Sequence, residues 1–274
     1  MKITAILHTH DHQDLTLDTL DSIKHYMTDD VLVVINESGW DKFDHSQIPA
    51  HVLKAFPHNV GRAPYRNAML GLSMAAQKWP DSDWYCHLEY DCLIGSSFFK
   101  KDLEFADKEN VWVIGNDYRD KQTVRFPLVE LMLKTQFDEI VYLLGAILFY
   151  NSKFIKRCLE EDFFNKFLFY TNEFRGFFFP GYFGEGAWDI TEHMMPTLAK
   201  HWGGEVKQFA KWSQKYGWMG AQWRKYPVRW QPELFNIEDE YLQASLMHPL
   251  KTYDHPIREF HRQKRNFRKF KNAT

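Results

Sequence analysis

Three polar clusters in the 274-residue chain each stand directly after an apolar run: His8-Thr9-His10, Asn36-Glu37-Ser38 and Glu89-Tyr90-Asp91. A turn that merely reverses the chain favours Gly, Pro or Asn, whereas these clusters supply imidazoles, a hydroxyl, an amide and carboxylates. Alternate histidines at His8 and His10, with Asp11-His12 following, suit a hydrolase metal centre that would recruit Glu89, Asp91 and His248 as further ligands. The pair Glu89 and Asp91 reads alternatively as two solvated acids of a turn.

The elements that must position these residues follow from periodicity. Ile3 to Leu7 is a short apolar run, and Leu15 to Tyr26 places Leu17, Leu20 and Ile23 at helical spacing. Val31 to Ile35 is β-branched and bounded by Asp30 and Asn36, as a strand buried on both faces requires. His51 to Phe56 is a weaker strand. Pro64 to Lys78 carries Ala68, Leu72, Ala75 and Ala76 on a helical period that Trp79-Pro80 ends, and Trp84 to Leu88 is the next strand. Strands are also expected at Val111 to Gly115 and Tyr142 to Tyr150, with helices from Phe154 to Glu160 and from Trp188 to about Trp202, the latter stopped by Gly203-Gly204. Phe177 to Gly186 reads as an aromatic loop. Such β-α-β-β-α-β alternation predicts an α/β fold with a mostly parallel sheet covered by helices, and ligands on such sheets bind beyond the carboxyl ends of the strands. The three polar clusters stand at those ends.

Asn59-Val60-Gly61, then Arg66-Asn67 and Gly71, then an apolar strand closing on Glu89-Tyr90-Asp91 resembles the N-terminal half of family-2-like GT-A glycosyltransferases. There an N-x-G turn leads to an R-N helix and to a strand ending in D-x-D. The likeness is good over the first third of the chain and loose beyond it. It implies a GT-A (Rossmann-like) sheet in one domain, with residues 1–105 as a nucleotide-sugar-binding half, 106–250 as an acceptor-binding and catalytic half, and 251–274 as a basic tail. It also implies metal-dependent transfer of a sugar from a UDP- or GDP-sugar to a hydroxyl acceptor, with inversion.

The chemistry behind the acidic motif is that a nucleoside diphosphate gathers negative charge as it leaves, and oxygen-liganded Mn²⁺ or Mg²⁺ offsets it. By this resemblance Asp91 binds the metal and Glu89, which stands where the family has its first Asp, reaches the ribose or a metal-bound water. His8, Thr9, Asn36 and Glu37 fall on the base and ribose contacts, and Arg62 and Arg66 on phosphate contacts. The segment Ala244 to Lys251 looks like a late histidine segment, which makes His248 the second metal ligand and brings Lys251 towards a phosphate. An inverting transfer needs a carboxylate beneath the acceptor hydroxyl to take its proton, and that carboxylate commonly lies at the start of a helix facing the cleft. Glu192, in a segment resembling the E-x-x-x-x-T of core-2-type branching transferases, is the expected catalytic base, with Asp189 in reserve. The change from Asp to Glu at position 89 also admits a non-catalytic protein that keeps the fold and binds a nucleotide sugar or glycan.

Composition sets outer limits. A formal net charge of -2 gives no general field for nucleic acid, and three cysteines, Cys86, Cys92 and Cys158, make neither a disulfide framework nor a zinc knuckle. A reducing compartment is expected, and with no apolar run of membrane-spanning length a cytoplasmic protein. The expected partners are a nucleotide-sugar donor and a glycan, lipid-linked or other hydroxyl acceptor. Trp202, Trp212, Trp218, Trp223 and Trp230 either pack the C-terminal half or stack on an acceptor sugar. Arg258, Arg262, Lys264, Arg265, Arg268, Lys269 and Lys271, interleaved with Phe260, Phe267 and Phe270, read as a peripheral helix or tail suited to an anionic acceptor or membrane surface, or as a solvated helix packed by its Phe residues.

Overall fold

The computed structural model describes residues 1–56, 63–119, 139, 141–173, 189–209, 228–230 and 245–273. Of residues 63–65, 117, 144, 169–173, 189–191, 193, 228–230 and 268–273 the backbone alone is described.

Strands β1 (Ile3–Thr9), β2 (Val31–Ile35), β3 (His51–Lys54), β4 (Trp84–Glu89), β6 (Val111–Arg119), β7 (Tyr142–Asn151) and β8 (Glu205–Gln208) form one sheet in the order β3-β2-β1-β4-β7-β6-β8. The first four run parallel, β7 is inserted antiparallel between β4 and β6, and β8 is parallel to β6. Of these seven strands β7 alone runs against the rest, so the sheet is mixed but mostly parallel, as expected. A second, three-stranded sheet joins β5 (Leu93–Ile94) antiparallel to β10 (Leu246–His248), which pairs parallel with β9 (Val228–Trp230).

Alternation along the strands divides the core into two layers. Ile3, Ala5 and Leu7 of β1 with Cys86 and Leu88 of β4 face α1 (Gln13–Tyr26) and α3 (Lys100–Lys108), whose Leu20, Ile23 and Leu103 share that cluster. Ile6, Tyr85, Leu148 and Tyr150 face the other way, onto α2 (Ala63–Lys78), α4 (Ser152–Glu160), α5 (Phe163–Glu173) and α6 (Asp189–His201), through Leu72, Phe154, Phe164 and Met195. Each fully buried aliphatic side chain contributes about 1.5–3 kcal/mol, so the two layers dominate the fold's stability. Trp202 joins the second layer with its ring centroid 5.8 Å from that of Phe154, which is the packing role. Trp212, Trp218 and Trp223 lie outside the described residues, as does the loop from Phe177 to Gly186.

Several boundaries differ from the periodicity. β1 runs on to Thr9, so His8 is a strand residue paired with Val34 and Glu89. β6 continues to Arg119 past Gly115, where register shifts against β7 begin. α6 stops where expected. Gly203 adopts φ 89°, a left-handed conformation that favours glycine, and the Gly204 N–H closes the end on the Ala199 carbonyl at 2.9 Å.

The C-terminal segment departs most from expectation. It forms α7 (Pro256–Ala273), and Arg258, His261 and Arg265 on its inner face are buried. Arg258 lies 2.7 Å from Asp18 of α1, Arg265 contacts the same carboxylate and Asp21, and Arg262 is held by Glu259 at 2.7 Å. Three of the seven basic residues are thereby turned into the protein's own acids. α1 accordingly buries Thr16, Asp18, Thr19 and Ser22 beside its apolar residues, while Leu17 is only partly buried. Among the described residues no helix is long and apolar enough to cross a membrane.

Candidate functional site

The carboxyl ends of β1, β2 and β4 come level at one edge of the sheet. Because β7 runs antiparallel, its first residues arrive at that same edge: Leu88 pairs with Ile147, so Gly145 and Ala146 extend beyond the ladder alongside the turn that follows Glu89. That turn is held from outside. The Cys92 N–H bonds to the Glu89 carbonyl at 3.0 Å, and the Thr19 hydroxyl of α1 lies 2.7 Å from the carbonyls of both Tyr90 and Cys92.

The short sheet brings the late histidine to this turn. Met247 pairs with Leu93, and Leu93, Met247, Leu250 and Ile257 make a small apolar cluster of their own. The Leu250 N–H donates to the Asp91 carbonyl at 2.8 Å. With the backbones so fixed, His248 Nε2 lies 3.2 Å from Glu89 Oε2 and 3.2 Å from Asp91 Oδ1. Asp91 and His248 are buried and Glu89 is partly exposed, so the cluster opens to solvent on one side.

The electrostatics fit a cation. Burial opposes protonation of His248, but hydrogen bonds to Asp91 and Glu89, with their charge, outweigh it and push the imidazole up to about 9. Burial likewise opposes ionisation of Asp91, yet His248 holds its carboxyl below the usual range. The imidazolium thus supplies positive charge between two carboxylates, where a divalent ion could stand when His248 is neutral. Asp91, Cys92 and His248 offer ligand atoms within 4.8 Å of one another. The Cys92 thiol is pushed far up by burial and bonds to the Ala146 carbonyl at 3.5 Å, so a hard ion would take the oxygen and imidazole donors instead.

Not every expected residue joins this group. Thr9 is buried with its hydroxyl 2.8 Å from that of Thr16 and 3.0 Å from the Asp11 carbonyl, where it shapes the entry to α1. Asn36 is buried and caps the following 3₁₀ helix (Glu37–Lys42) by accepting the Ser38 N–H at 3.0 Å. Glu37 is exposed, 3.5 Å from Lys54. Arg66 lies with its guanidinium 4.1 Å from the centroid of the Phe56 ring. Asn67 ties the end of β3 to α2 by accepting the Phe56 N–H at 3.1 Å, a structural use of the Arg-Asn motif. Lys251 is exposed, and Arg62 lies outside the described residues.

His8 and His10 do not converge. His8 is in edge contact with His87, ring centroids 4.5 Å apart, whereas His10 meets the Tyr90 ring at 5.1 Å beyond the strand. Burial and His87 push His8 well below its ordinary value. Among the described residues neither belongs to a metal-ligating group, which gives the histidine-centred hydrolase site no support.

Glu192 reaches the same edge from α6. Its carboxylate accepts the Gly145 N–H, and a Cβ at Gly145 would stand 2.8 Å from it. Thr197, five residues on, accepts the Val141 N–H at 3.0 Å, so the Glu192 and Thr197 pair clamps the start of β7. Asp189 is the first residue of α6. His87 was not anticipated: it donates to the Gly145 carbonyl, and with burial as the larger effect its imidazole falls to about 4. The backbone of Gly145 therefore contacts both His87 and Glu192, through its carbonyl and its N–H respectively.

The sequence matches no protein-family model and no curated protein. The structure resembles a solved glycosyltransferase involved in glycosylating the major capsid of PBCV-1, at TM-score 0.51 and 10% identity over 96% of this chain and 100% of that one. The chain has the GT-A glycosyltransferase fold. An active-site mutant of LgtC aligns over 95% of this chain and 94% of its own at TM-score 0.48 and 10% identity. A mannosyltransferase from Pyrobaculum calidifontis, solved with GDP-Man and Mn²⁺, aligns over 57% of this chain and 46% of its own at TM-score 0.34 and 12% identity. At these identities the likeness concerns the GT-A scaffold alone.

Proposed function

We propose that this GT-A chain is a metal-dependent glycosyltransferase that moves a sugar from a UDP- or GDP-sugar to a hydroxyl acceptor with inversion. The observation that carries the reading is the meeting of Asp91, Glu89 and His248 at the carboxyl edge of the parallel strands, the part of such sheets where nucleotides bind. Asp91 and His248 would hold Mn²⁺ or Mg²⁺, and Glu89 would reach a metal-bound water or the ribose. When bound, the ion supplies positive charge opposite the diphosphate.

In the transfer the acceptor oxygen bonds to the anomeric carbon as the bond from that carbon to the diphosphate oxygen breaks, and the electron pair leaves with the diphosphate. Glu192 takes the acceptor's proton in this proposal, and Asp189 is the alternative on the same helix. The Gly145 hydrogen bond supports a positioned carboxylate at Glu192. Glu192→Gln keeps an oxygen for that bond while removing the base, so turnover should fall roughly 10²–10⁴-fold with donor affinity retained. Turnover lost in Asp189→Asn and kept in Glu192→Gln moves the base to Asp189.

Calorimetry with UDP and GDP, with and without Mn²⁺, tests the donor site. Nucleotide binding should depend on Mn²⁺ in the parent, and Asp91→Asn should lose that dependence with its melting temperature close to the parent's. Equal binding by parent and variant refutes the assignment.

A further inference from the structure

Arg258, in the first turn of α7, is fully buried, and its guanidinium reaches three separate segments. Nε donates to the Leu250 carbonyl at 3.1 Å, and one terminal nitrogen donates to the Cys92 carbonyl at 2.9 Å. The other terminal nitrogen donates to Asp18 at 2.7 Å and to the Thr19 hydroxyl at 3.3 Å. Leu250 follows His248 by two residues, and Cys92 follows Asp91 directly. A single rigid fork thus spans the backbones of the two loops whose side chains make the acid and imidazole cluster.

We propose that Arg258 is a positioning residue for the cation and diphosphate site, setting the distance between the Asp91 loop and the His248 loop. The inference rests on reading Asp91 and His248 as the donor site, and it makes the C-terminal helix part of that site. Its physical basis is pre-organisation. A planar guanidinium satisfies carbonyls in fixed directions, whereas an ammonium on a flexible stem supplies three rotatable donors and cannot hold both loops and Asp18 in one geometry. Groups that orient metal ligands typically change metal affinity by roughly 10–100-fold when altered. Arg258 touches neither carboxylate of the cluster, and Thr19 braces the Asp91 turn from the same side by contacting the Tyr90 and Cys92 carbonyls.

The experiment uses the full chain and compares Arg258→Lys with Arg265→Lys. Arg265 shares the Asp18 carboxylate but donates to neither loop. Mn²⁺ affinity is measured by calorimetry or electron paramagnetic resonance, and stability by thermal melting. Both variants should lose stability, while Arg258→Lys alone should weaken Mn²⁺ binding by roughly 10–100-fold. Unchanged Mn²⁺ affinity in a folded Arg258→Lys overturns the proposal, and so does an equal loss in Arg265→Lys, which would mean that helix docking in general matters. Should Arg258→Lys not fold, Thr19→Val carries the test: weakened Mn²⁺ binding supports the brace and unchanged binding overturns it. A parent chain that binds no Mn²⁺ overturns the donor-site reading and this proposal together, whereas a binding parent with indifferent variants overturns the proposal alone.

Discussion

His261→Leu should flatten the acid limb of the stability curve. His261 lies on the inner face of α7, fully buried, with no hydrogen-bond partner for either ring nitrogen among the described residues. Burial, with Lys264 and Arg265 adding to it, pushes the imidazole from an ordinary 6.5 down to about 3. A histidine with a depressed folded value must stay neutral in the native state, while the unfolded chain takes up a proton below its own value. Its contribution is therefore fully present above pH 6.5 and is lost as the pH falls towards 3.

At pH 5 the unfolded state is favoured by about 2 kcal/mol through this one group, and the figure barely changes if the native value is a unit higher. For a chain of this length that is about 3–4 °C in melting temperature. The assay is thermal or urea unfolding of the parent and His261→Leu at pH 7.5, 6 and 5. The gap between the curves, whatever its size at pH 7.5, should shift by about 2 kcal/mol in favour of the variant by pH 5. Parallel curves would show that His261 is solvated, and the docking of α7 onto α1 would be wrong.

Gly145→Ala places a methyl 2.8 Å from the Glu192 carboxylate and should lower turnover through displacement of Glu192, with Mn²⁺-dependent nucleotide affinity unchanged in calorimetry. Asp18→Ala leaves Arg258 and Arg265 buried without their shared carboxylate, and thermal melting should show a loss of about 3–5 kcal/mol, or about 5–9 °C; a change under 1 kcal/mol would refute the buried pairing.

Local sequence determined much of the scaffold and one strand end. β2 is Val31–Ile35 as its β-branched run requires, and α2, α6 and the Gly203 stop follow their apolar period and terminator. Glu89 and Asp91 stand at a strand end because an apolar run closing on acids has few other placements in an α/β chain. What the local pattern carried less well was the use of a polar group. Thr9 and Asn36 fall on ligand contacts by resemblance, but their hydroxyl and amide groups satisfy backbone and side-chain partners at the ends of elements.

Only tertiary structure decided the rest. His248 meets Asp91 across 157 positions because β10 pairs with β5, and no local period records that pairing. The basic run of residues 258–271 has the same composition whether it coats a surface or enters a core. Asp18 on a distant helix turns Arg258 inward, since a buried guanidinium is tolerated only where a carboxylate and carbonyls replace its water. The mid-helix Asp18, Thr19 and Ser22 on an otherwise amphipathic α1 were the available hint, and their meaning depended on the partner helix. Residue type determined which chemistry was available, and long-range pairing decided which groups kept it for a ligand, because desolvation and hydrogen-bond satisfaction belong to the folded environment and not to the residue.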